Sequence, residues 1–174
     1  MRIELSKCVV RSWEESDAPS LARCANNRNI SRNLRDAFPF PYTEDDARSF
    51  IEMARGRNPD TFFAIEVEGE AAGGIGYRLQ GDIDRVAAVI GYWLAEPLWN
   101  RGIMTEALAA VTDYAIREHG LTRVYATPFE WNAASMRVLE KCGYLCEGRL
   151  RKRAIKDGKV IDLFMYAYVV NDER

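Results

Sequence analysis

The chain reads as a layered α/β domain: a mixed, mostly antiparallel sheet with helices on both faces, built around one parallel strand–helix–strand unit. Three observations predict it. Residues 89–95, Val-Ile-Gly-Tyr-Trp-Leu-Ala, form a nearly unbroken apolar run rich in aromatic and β-branched residues. Such a run suits a strand covered on both faces, and Pro97, lacking an amide donor, ends its ladder. Met104, Ala107, Leu108, Val111 and Ala115 then recur at helical spacing and mark one face of an amphipathic helix. A further strand, Arg123 to Phe129, follows, so this unit must be a parallel crossover, right-handed by the usual rule. The other strand candidates come in a meander or a hairpin and can pair antiparallel.

The elements follow in order. Val9 to Trp13 is a short first strand. Asp17 starts a helix with Ala18, Leu21, Ala22 and Ala25 on its apolar face, and Asn26-Asn27-Arg28-Asn29 breaks it. Residues 32–42 contain Pro39 and Pro41, which forbid regular structure, and three aromatics, Phe38, Phe40 and Tyr42. Thr43 is an N-cap for a helix carrying Ala47, Phe50, Ile51 and Ala54 on one face. Thr61 to Val67 and Ala71 to Leu79 are strands joined at Glu68-Gly69, a hairpin signal. Gly81-Asp82 turns into the central strand, Val86 to Ala95. The central helix runs to His119 and stops at Gly120. Asn132 opens a shorter helix to Cys142, stopped by Gly143. Tyr144 to Ala154 and Val160 to Val170 form a last hairpin around Asp157-Gly158. Gly73-Gly74-Ile75-Gly76 lies within a strand pattern and no helix follows it, so a dinucleotide loop is excluded in favour of a bulge or close packing.

At 174 residues the chain is expected to be one domain spanning 1–174. Its net charge of −2 favours neither nucleic acid nor an anionic membrane. No apolar run is long enough to span a bilayer, and the N-terminus lacks a signal-peptide pattern, so a cytoplasmic location is expected. Cys8, Cys24, Cys142 and Cys146 make no Cys-x-x-Cys pair, which points to buried reduced thiols and no metal. His119 precedes Gly120 at a helix end, where a dipole interaction accounts for it.

Between the central strand and helix lies Trp99-Asn100-Arg101-Gly102-Ile103-Met104-Thr105. The first amides of a helix have no partner inside it and sit at the positive end of its dipole. A glycine there lets a phosphate approach the backbone. On physics alone this is an anion site or an ordinary loop.

The residues resemble the acetyl-CoA pyrophosphate loop of the GNAT N-acetyltransferases, Q/R-x-x-G-x-G/A. Trp99 takes the first place, Gly102 the fourth and Met104 the sixth, where a small residue is usual. Tyr92-Trp93-Leu94 before it and Thr105-Glu106-Ala107 after it resemble the RimJ/RimL branch, which acetylates protein N-termini and other amines. A large side chain at Met104 can still point into the core while its amide serves the phosphate. The resemblance implies that acetyl-CoA binds as cosubstrate on Arg101, Gly102, Ile103, Met104 and Thr105. It also implies that the pantetheine arm runs beside Trp93, Leu94 and Ala95, with an amide near Leu94 polarising the thioester carbonyl.

A second segment, residues 132–144, resembles the Asn-x-x-Ser…Glu-Lys-x-Gly-Phe/Tyr stretch of the same branch. There Asn132 would contact CoA, Lys141 could meet its phosphates, and Ser135 would lie near its sulfur. Ser135 shares a helical face with Val138, Leu139 and Cys142, so its hydroxyl is expected to point inward, as the acid that protonates the leaving thiolate. Many GNAT enzymes have a tyrosine acid where this chain has Glu140. A base is harder to place: relatives often carry a glutamate where Val89 stands, and Glu130 is the first substitute, ahead of Asp82, Asp84 and Asp36. Phe38, Phe40 and Tyr42 occupy the region that covers the acceptor and are expected to exclude water from it. The expected reaction is acetyl transfer by direct attack of a primary amine, a protein N-terminus first. A small amine (polyamine, antibiotic or amino acid) or a non-catalytic acyl-CoA-binding module are the alternatives. Homodimers are common in the branch.

Overall fold

In the computed structural model, residues 1–170 are described, and the last four of the expected 1–174 span lie outside them. The strands are β1 (Arg2–Glu4), β2 (Val9–Ser12), β3 (Phe62–Val67), β4 (Glu70–Leu79), β5 (Ala87–Leu94), β6 (Arg123–Ala126), β7 (Leu145–Lys156) and β8 (Lys159–Val169). The helices are α1 (Ala18–Ala25), α2 (Arg28–Ser31), α3 (Glu44–Arg55), α4 (Ile103–His119) and α5 (Ala133–Lys141). One eight-stranded sheet has the order β1-β2-β3-β4-β5-β6-β8-β7. β5 and β6 run parallel, with Ala87 opposite Arg123 and Val89 opposite Tyr125, while β1–β2, β2–β3, β3–β4, β6–β8 and β7–β8 are antiparallel. This is the expected mixed sheet with its central crossover.

The chain forms two compact units: Met1–Gly76 with Tyr92–Ala107, and Tyr77–Gly91 with the chain from Leu108 onward. In the first unit, Trp13, Leu21, Ala25, Tyr42, Ala47, Ile51, Ala64 and Ala71 form one core, with Phe38, Phe50, Phe62 and Trp93 packed against it. Arg11 is buried there and donates to both oxygens of Asp17, each at 2.8 Å. Thr43 caps α3 as expected: its hydroxyl accepts from the Asp46 amide at 3.2 Å, and Asp46 accepts from the Thr43 amide at 2.8 Å. The Thr43 hydroxyl also lies 2.6 Å from the Asp46 carboxylate, and its hydrogen bond, then that of the Thr43 amide, holds the Asp46 carboxyl below the usual carboxylate range. In the second unit Phe129, Ile161 and Leu163 form a core with Leu150 and Ala154.

The glycines of β4 serve close packing. A Cβ on Gly73 would lie 2.7 Å from the Trp93 carbonyl oxygen, and one on Gly74 would lie 2.7 Å from Trp93 Nε1. Asp157 (φ 50°) and Gly158 (φ 75°) take the left-handed conformations that a two-residue hairpin loop needs. All five residues of the predicted α4 face, Met104 to Ala115, are buried.

Several expectations change. The first strand is β1, whose Arg-Ile-Glu carries one apolar residue and shows no pattern until it pairs with β2. Asn26–Asn29 both ends one helix and starts another, because the Asn27 side chain accepts from the Asn29 amide at 2.8 Å and caps α2. β5 is not covered throughout: Ile90 and Leu94 are buried, Tyr92 and Trp93 only half-buried. β6 stops at Ala126, and Phe129 returns only as an isolated bridge to Leu163. Cys8 is buried, and burial with the nearby Glu106 charge pushes its thiol up to about 11. Cys146, however, is exposed on β7, the edge strand, so the thiols are free but not uniformly buried. His119 shares a 2.9 Å hydrogen bond through Nε2 with the hydroxyl of buried Tyr77, a specific partner beyond the helix dipole. No helix among the described residues is long and apolar enough to cross a membrane.

Candidate functional site

In the first unit, the end of β5 is fixed before the loop begins. The Ala95 amide donates to the Ala72 carbonyl at 2.8 Å, so that amide is already used by the sheet. Pro97 sits in a single 3₁₀ turn, Glu96–Leu98, and the Trp99 indole Nε1 reaches back to the Leu94 carbonyl at 2.7 Å. The Glu96 carboxylate accepts from the side-chain amides of Asn27 (2.6 Å) and Asn29 (3.1 Å), which hold it below the usual range.

The loop then turns through two left-handed residues, Asn100 (φ 61°) and Gly102 (φ 77°), and α4 starts at Ile103. The first bond of the helix ladder runs from the Glu106 amide to the Gly102 carbonyl at 3.2 Å. The amides before it are therefore not consumed by the helix's own ladder. Ile103 and Met104 are buried and turn their side chains inward, whereas Arg101 is exposed and Gly102 and Thr105 are half-buried. The large residue in the motif's sixth place is thus accommodated by the core. Trp93 is half-buried, and Leu94 and Ala95 are buried.

Sequence reasoning missed Lys7. A Cβ built on Gly102 would meet the Lys7 ammonium nitrogen at 2.7 Å, so this cation lies directly over the loop glycine. It is brought there by Glu106, which accepts from the Lys7 amide at 3.1 Å and from the Ser6 hydroxyl. Roughly a hundred residues of intervening chain hide this pairing, and a lone exposed lysine gives no local signal.

Of the proposed cover, the Phe38 ring packs tilted against Tyr42, centroids 4.8 Å apart, and edge-on against Trp93, centroids 5.7 Å apart. Phe40 is half exposed, with the Arg28 guanidinium over its ring at 5.9 Å. Tyr42 is a core residue, 6% exposed, and burial pushes its phenol up to about 12. Its place in the core follows from its neighbour: Thr43 caps α3, and the Tyr42 amide donates to Asn26 at 3.0 Å.

In the second unit, Asn132 caps α5 by accepting from the Ser135 amide at 3.2 Å. Ser135 is half-buried, not fully inward, because it lies in the first turn of α5, and the deep position of that face is Leu139. Lys141 and Arg137 are exposed. Glu140 accepts from the Tyr166 hydroxyl at 2.9 Å; burial, then this bond, pushes that phenol up to about 12. Glu130 accepts from the Asp162 amide at 3.0 Å and from Arg149 at 3.4 Å, which ties it to β8 and β7.

Comparison with known proteins gives four findings. Residues 7–145 match the acetyltransferase (GNAT) domain. The chain is 27% identical over 170 residues to the uncharacterized N-acetyltransferase YnaD of Bacillus subtilis, covering 96% of each. It is 26% identical to a ribosomal-protein-serine acetyltransferase of Escherichia coli, covering 86% of this chain and 84% of that one. The structure of Mycobacterium smegmatis RimJ in complex with a CoA disulfide is similar with a TM-score of 0.83 at 25% identity, covering 93% of this chain and 81% of that one.

Proposed function

The chain belongs to the acetyltransferase (GNAT) family, and on that premise we propose that it transfers the acetyl group of acetyl-CoA to the α-amine of a protein N-terminus. The observation that carries the proposal is the loop at 99–105. Its left-handed Gly102, the inward Ile103 and Met104, and a helix start whose own ladder begins only at the Glu106 amide make a cradle of backbone donors that a phosphate fits. The residues present therefore suit the pyrophosphate of CoA. Acetyl-CoA supplies the activated acetyl group, and the Arg101–Thr105 amides hold its pyrophosphate. Trp99 fixes the Leu94 carbonyl, keeping the end of β5 in register with the loop.

Ser135 protonates the departing thiolate sulfur, and the Asn132 cap holds the first turn of α5 in which that serine sits. Glu130, the first candidate base, accepts from Arg149 and the Asp162 amide, which ties it to β7 and β8. An α-amine, with a reference pKa of roughly 7.7–8.0 against about 10.4 for lysine, needs no strong base to become neutral. That fits a chain whose first candidate base, Glu130, is already hydrogen-bonded to Arg149 and the Asp162 amide. The ribosomal-protein-serine acetyltransferase relative supports a peptide acceptor.

The test is CoA release from acetyl-CoA with a panel of N-terminal peptides, polyamines and free amino acids. Turnover confined to peptides with a free α-amine is expected. Preferred turnover of a small amine would replace the acceptor, and CoA binding without turnover on any amine would leave a binding module.

A further inference from the structure

We infer that Lys7, between β1 and β2, is a phosphate-binding residue of the cofactor loop, pairing with the same pyrophosphate that the Arg101–Thr105 amides receive. The inference rests on the proposed acetyl-CoA site. Three observations carry it. The ammonium lies over Gly102, where the absence of a side chain opens the backbone to a ligand: an added Cβ would sit 2.7 Å from Lys7 Nζ. The position is built, since Glu106 in the first turn of α4 accepts from both the Lys7 amide and the Ser6 hydroxyl. Among the described residues, no carboxylate pairs with the ammonium itself.

Electrostatics adds to these observations. A helix N-terminus carries roughly half a positive charge, and cations are favoured at the opposite end. Placing an ammonium at the start of α4 goes against that preference, and the Glu106 carboxylate offsets it only in part. A bound phosphate resolves the conflict, because the helix amides and the ammonium then converge on one anion. Lysine suits this task as a mobile point charge on a flexible stem. It can follow the phosphate without fixed bidentate geometry. Glu106 acts through Lys7 and is a positioning residue.

The experiment is calorimetric titration of the full chain with CoA and with dephospho-CoA, which keeps the pyrophosphate and lacks only the ribose 3′-phosphate. Lys7→Met removes the charge and keeps the stem. Lys7 is exposed and only its backbone amide is bonded to Glu106, so the melting temperature should not change. Affinity for both ligands should fall by about tenfold or more, the scale of one charge-assisted hydrogen bond, and the dependence of affinity on salt should become shallower. Lys7→Arg should retain most of the affinity. Gly102→Val tests the underlying loop separately. If Lys7→Met binds both ligands like the wild type while Gly102→Val loses them, the lysine assignment is wrong and the loop stands. A loss seen with CoA but not with dephospho-CoA would move Lys7 to the 3′-phosphate and overturn the pyrophosphate pairing. Unchanged affinity in both variants would remove the loop, and the lysine with it.

Discussion

Replacing Met104 with alanine restores a small residue at the sixth place of the loop motif and separates packing from ligand contact. Met104 is 8% exposed in the first turn of α4, so nearly all of its side chain leaves the core on truncation. A buried methionine-to-alanine change costs about 2–5 kcal/mol, depending on how far the site collapses. For a chain of 174 residues, each kcal/mol moves the melting temperature by about 2–4 °C, so the expected fall is roughly 4–20 °C. The Met104 amide is untouched, so CoA affinity should stay within about threefold of wild type below the melting range. Differential scanning calorimetry and isothermal titration on the same preparation give both quantities. Met104→Leu is the internal control: it conserves volume and should cost less than about 1.5 kcal/mol. A loss of CoA affinity beyond about tenfold, with an unchanged melting temperature, would show that the side chain touches the ligand. The inward reading of the loop would then be wrong.

Ser135→Ala should lower kcat by ~10²–10⁴-fold, the range for a positioned acid, with little change in CoA affinity because the lost interaction forms as the thiolate leaves. Wild-type turnover in that variant would make the serine structural. Gly73→Ala places a Cβ 2.7 Å from the Trp93 carbonyl, a backbone atom that cannot swing aside. It should cost about 1–3 kcal/mol in denaturant unfolding, and no measurable cost would mean that β4 and Trp93 pack less closely than described. Tyr42 and Tyr166, both pushed up to about 12, keep their protons in the folded state after the unfolded chain, near pH 10, has released its own. Their contribution to stability is complete below about pH 10 and is lost as pH rises toward 12. A melting temperature that stays level across that window would contradict their burial.

The legible parts of this protein share a property: their signal lies within a few residues along the chain. Pro97 after an apolar run, the helical spacing from Met104 to Ala115, Thr43 before Asp46, and Asp157-Gly158 between two strands each define an element from local chemistry. All four elements stand where expected. The misread parts depend on partners far along the chain. Arg2–Glu4 is a strand only because β2 lies beside it. Tyr42, in a loop with two prolines, reads as a cover residue until it is found in the core with α1 and α3.

The candidate site divides the same way. Its backbone part, the turn through Asn100 and Gly102 into α4, was readable because glycine and helix periodicity are local. Its charge was not. The loop's own cation is Arg101, but the cation over Gly102 is Lys7, held by Glu106 from the other end of the unit's sequence. Glu106 reads as part of a Thr-Glu-Ala motif at a helix start, where an acidic residue needs no further explanation. That dipole role and the tether to Lys7 are compatible: the carboxylate sits at the start of α4 and also brings a mobile positive charge to the loop mouth. A carboxylate alone there would repel the phosphate of the proposed cofactor site. With Lys7 attached, the same residue anchors a cation that attracts it.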